Sequence, residues 1–85
     1  MKEVNYDLMI RDSFWKKCRP GFPGTVTKVR RILYFVAGEI VSPKITPEDF
    51  SNQDCKKILD ALKAGNMTHV ENLVLEAMKK AREKV

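Results

Sequence analysis

His69, Cys18 and Cys55 are the side chains best suited to nucleophilic or metal chemistry, and their placement supports neither. A zinc knuckle or redox pair needs cysteines or histidines a few residues apart, and these three stand far from one another. A Cys55–His69 pair is conceivable across a helix hairpin, but a cysteine on an apolar helix face is ordinarily a packed core residue. The glycine-containing loop "RPGFPG" lacks the lysine and hydroxyl that let a phosphate loop hold a nucleotide. The adjacent carboxylates Glu48 and Asp49 are explained by the helix start they occupy. No catalytic residue, metal ligand or cofactor site is therefore expected, and the chain reads as non-enzymatic.

Binding chemistry has more support. Between Arg11 and Arg31 lie seven basic residues and a single acid, Asp12, in a chain whose net charge is +5. Lys16, Lys17, Arg19, Lys28, Arg30 and Arg31 form the candidate surface for nucleic acid or for an acidic partner. Aromatics beside such cations can stack bases. Trp15 is better spent on the core, whereas Phe22, on the Pro-Gly loop, either folds back onto the core or serves as a stacking or interface residue. The bland alternative is a solvated basic face that keeps a small protein soluble. No zinc-finger or RNA-recognition signature accompanies the cations, and Glu48, Asp49, Asp54 and Asp60 would repel phosphate from the segment after it.

Helices must position these groups. The alternation of Val4, Tyr6, Leu8 and Ile10 suits a strand, but no second strand exists to pair with it, so a helix over Tyr6 to Cys18 is expected. "RPGFPG" breaks the chain. Thr25 or Thr27 then caps a helix whose Val26, Val29, Leu33, Val36 and Ile40 recur at helical spacing. Ile32, Phe35 and Ala37 widen that stripe nearly all round, as in a central helix packed on several sides. Its outer cations Lys28, Arg30 and Arg31 sit at the N-terminal end, where they oppose the helix dipole. "KITPEDFSNQDCKKILDALKAG" spells a cap at Thr46, a proline start, an Ile45–Phe50 staple and a short turn. A second cap follows at Ser51, and the next helix stops at Gly65. Thr68 with Glu71 reads as the capping box of a last helix, with Val70, Leu73, Val74, Ala77, Met78, Ala81 and Val85 on its inner face.

The expected fold is all-α: a small single-domain helical bundle of about four helices with one short extra helical turn. Residues 1–85 form one domain, with an N-terminal helix and loop over 1–24 and a helical core over 25–85. At 85 residues, a chain buries little more than half the surface its unfolded form exposes, so a partner that covers more apolar surface would add stability. The first ten residues hold no apolar run of signal-peptide length, and "ILYFVA" is too short to span a bilayer. A cytoplasmic protein with reduced thiols and no membrane partner is expected.

"PEDF" at Pro47–Phe50, the following "CKKILDALKAG", the helix start "MTHVENLVLEA" and the upstream "VRRILYFVAGEI" together resemble a helical module of bacterial replication. That module is the N-terminal domain of replicative helicases and its relative, the helicase-binding C-terminal domain of primases. The likeness covers residues 29–78. The tyrosine and histidine common after "PEDF" in the helicases are absent, and no ATPase motif is present. The resemblance implies at most a protein-docking module. The leading expectation is thus an interaction domain that docks a protein partner or self-associates, with nucleic-acid binding through the basic segment as the alternative.

Overall fold

The computed structural model describes residues 5–19 and 21–85, so Met1–Val4 and Pro20 of the loop lie outside the described residues. Four helices follow one another: α1 (Tyr6–Cys18), α2 (Val26–Ile40), α3 (Asn52–Ala64) and α4 (Met67–Glu83), with a 3-10 turn at Pro47–Asp49 before α3. No strand occurs among the described residues, and the fold is the all-α bundle expected. The Cα radius of gyration, 12.0 Å, is that of one compact domain of this length, about 12 Å.

Helix, and not strand, wins at the N-terminus because Asn5 caps it, accepting the Leu8 N–H at 3.0 Å. Ile10, Phe14 and Cys18, spaced four apart, then face the interior, while Leu8 and Met9 stay outside. Thr25 caps α2 by accepting the Lys28 N–H, and Val29, Leu33, Val36 and Ala37 below it are fully withdrawn from solvent. Withdrawing each valine or leucine is worth about 1.5–3 kcal/mol. α2 packs against α1, α3, α4 and the 3-10 turn, which makes it the central helix. The all-round apolar reading holds only in part, since Ile32 and Ile40 are half-buried and Phe35 faces water.

The segment after α2 forms as the sequence spells it. Ile45 and Phe50 are both buried across the 3-10 turn, as a staple requires. The Thr46 N–H donates to Asp49 Oδ2 at 2.8 Å, so the short aspartate does reach. Ser51 caps α3 through the Asp54 N–H, and Gly65 ends it at φ 74°, a left-handed conformation that glycine adopts without steric cost.

α4 starts differently from expectation. Asn66, directly after the glycine, caps it by accepting the His69 N–H at 3.2 Å, so the helix begins at Met67 and Thr68 is already inside it. Glu71 is thereby released from capping and reaches α1. Its Oε2 accepts the Trp15 indole N–H at 2.7 Å, and its Oε1 lies 3.8 Å from Arg11 Nη1. Trp15 packs at the edge of the core, its ring meeting Phe14 edge to face with centroids 5.2 Å apart. Val85, assigned to the inner face of α4, lies beyond the last turn and is exposed.

Glu71 joins α1 to α4 through a partly exposed carboxylate, so Glu71→Ala should lower unfolding free energy by about 1–2 kcal/mol. Glu71→Gln should cost less, because an amide oxygen still accepts from the indole. Urea denaturation followed by Trp15 fluorescence measures both.

Candidate interaction surface

Between α1 and α2, residues 21–24 are non-helical. Pro23 takes the inward place and is buried, which leaves Phe22 63% exposed. The fold-back of Phe22 onto the core therefore does not occur. Its ring stands between two shallow depressions. One is lined by Gly21, Phe22, Pro23, Lys28, Arg31 and Ile32; the other takes in Trp15, Cys18 and Arg19. No described carboxylate lines either one.

The six candidate cations separate into two groups. Lys17 Nζ lies 2.7 Å from Glu39 Oε1 and donates to Ser13 Oγ, tying α1 to the far end of α2. Arg30 Nε donates to the Phe50 carbonyl at 3.1 Å, and its Nη2 bonds Asn52, which pins the start of α3 to α2. Both are structural. Lys16, Arg19, Lys28 and Arg31 are exposed and form no ion pair among the described residues. Arg19, Lys28 and Arg31 are the three that flank Phe22. Arg30 stands directly after the buried Val29, on the flank of the α2 stripe, which was the available sign that its stem would be covered and its head used internally.

Phe35, which widens the apolar stripe of α2, is half exposed one turn beyond Arg31 and Ile32, its ring 5.5 Å from that of Tyr34. It extends the apolar part of the surface along α2. Glu39 follows one turn later. The Lys17 hydrogen bond and charge hold its carboxyl below the ordinary glutamate range. That pairing is present above the unfolded glutamate pKa and is lost as pH falls through the lower folded value.

The thiols belong to the core. Burial pushes Cys18 up to about 11 and also raises Cys55, where Arg30 opposes the shift and Asp54 adds to it. The Lys80–Asp54 ion pair, at 3.4 Å, sets Cys55 beside the end of α4. His69 stands eleven residues before Lys80, about 16 Å back along the helix at 1.5 Å per residue. The hairpin thus separates Cys55 from His69, and the conceivable pair does not form. No described helix is long and apolar enough to cross a membrane. No protein-family model, curated protein or solved structure matches the chain.

Because burial disfavours the thiolate, both cysteines should resist a disulfide reagent near pH 8 in the native protein and react fully in denaturant. Rapid native labelling of either would contradict their placement.

Proposed function

We propose that this chain is a non-enzymatic interaction domain that docks a protein partner through the surface around Phe22, Lys28, Arg31 and Phe35. The observation that carries the reading is the exposed Phe22 ring, set between depressions lined by cations and no described acid. An aromatic ring left in water forgoes burial worth about 1.5–3 kcal/mol, and a partner that covers it recovers that energy. The resemblance of residues 29–78 to helicase and primase docking modules points to the same class of function. Cysteines held in a core fit a reducing, cytoplasmic setting.

Self-association through this surface is the weaker form of the reading. A two-fold interface would set the Arg19, Lys28 and Arg31 cluster of one copy against the same cluster of the other, and like charges repel. A different, complementary chain suits the surface better.

Nucleic acid is the second reading. Arg19 on one side of Phe22 and Lys28 with Arg31 on the other could hold phosphates around a stacked base.

Affinity capture from the native host, comparing the wild-type chain with the Phe22→Ala/Phe35→Ala variant, tests the docking reading. A protein retained by the wild type and lost by the variant is expected, as is a monomer by light scattering. Identical retention by both would remove the surface from consideration. Binding dominated by nucleic acid, with affinity falling steeply in salt as counterions are released, would favour the second reading.

A further inference from the structure

We infer that the surface centred on Phe22 takes an acidic, amphipathic segment of a partner protein. Its apolar side chains lodge against Phe22, Pro23 and Ile32, and its carboxylates face Arg19, Lys28 and Arg31. The inference rests on the docking reading and specifies the partner's chemistry.

The larger depression combines two kinds of wall. Phe22, Pro23 and Ile32 are apolar, Lys28 and Arg31 are cationic, and no described acid intervenes. Its volume, about 360 Å³, lies at the low end of the range for ligand pockets, about 300–1,000 Å³. That suits one or two inserted side chains. Ile32 and Phe35, three residues apart on α2, share a side of the helix, so apolar contact continues past the depression. From Lys28 to Phe35 the strip runs about 10 Å along the axis, close to two turns of a helix laid alongside it. Such a strip, apolar along its length with cations at its margin, matches a segment that places leucine or phenylalanine on one face and glutamate or aspartate on the next.

A nucleic-acid strand fits less well. The apolar wall formed by Pro23 and Ile32 offers phosphate nothing. Three cations around one ring hold a few charges, whereas a phosphate chain presents one at every step.

Titration of the 15N-labelled chain of residues 1–85 with three probes tests the assignment. The first is a short peptide with Leu and Phe on one helical face and Glu on the other. The second is a Glu/Ser peptide of equal charge, and the third is a short oligothymidylate. The amphipathic peptide should shift the amide resonances of Phe22, Lys28, Arg31 and Phe35 and bind about tenfold more tightly than the Glu/Ser peptide, for lack of an apolar anchor in the latter. Phe22→Ala and Lys28→Glu/Arg31→Glu should each weaken it by about fivefold or more at low salt, with helical circular dichroism unchanged. Equal affinity for the two peptides would overturn the apolar half of the inference. Absence of shifts at these positions up to about 1 mM peptide would overturn it whole. Tighter binding of the oligothymidylate to the same resonances would assign the surface to nucleic acid. If the peptides fail while a cellular protein is still lost by the Phe22→Ala/Phe35→Ala variant, the acidic chemistry is wrong and the docking reading stands. If both fail, both fall.

Discussion

Val29, Leu33, Val36 and Ala37 of α2 are fully withdrawn from solvent because α1, α3, α4 and the 3-10 turn all close on that helix. Among the described residues no element covers the opposite side of α2, so its inner stripe fixes the core and Lys28, Arg31 and Phe35 on its outer strip are left to water. The proposed docking surface rests on that division. Lys28, Arg31 and Phe35 face outward because Val29, Leu33 and Val36, at the intervening positions, face inward.

Polar contacts then fix how the other elements sit around α2. Glu71 joins α4 to Trp15 and Arg11 of α1, Arg30 joins α2 to the Phe50 carbonyl and Asn52, and Lys17 joins α1 to Glu39. All lie at the margin of the core, and no described polar side chain is buried within it. Such contacts add modestly to stability, but each is directional and so favours one register over its neighbours. They also decide which cations remain open. Lys17 and Arg30 are occupied, and Lys16, Arg19, Lys28 and Arg31 form no ion pair among the described residues.

Much of the fold was legible in the chain because its signals are local. The Thr46–Pro47 start, the Ile45–Phe50 staple, the Ser51 cap and the Gly65 stop each depend on residues within a few positions, and each forms. The start of α4 departs from the Thr68–Glu71 box: Asn66, directly after the left-handed Gly65, accepts the His69 N–H instead. The site was less legible. Whether Phe22 or Pro23 turns inward, and whether Arg30 binds a partner or the Phe50 carbonyl, depends on elements distant in sequence. No periodicity encodes that choice. Composition marked the basic segment, but only the packed bundle separates its structural cations from its open ones.

With its ring 63% exposed, Phe22 should contribute little to folding. Equilibrium urea unfolding of Phe22→Ala beside Phe14→Ala tests it most directly. Phe14 is buried among α1 and the core, so its removal should cost about 3–5 kcal/mol. Phe22→Ala should stay within about 0.5 kcal/mol of the wild type, as surface substitutions do. A loss at Phe22 comparable to that at Phe14 would show that the ring is part of the core, and the surface described around it would not exist.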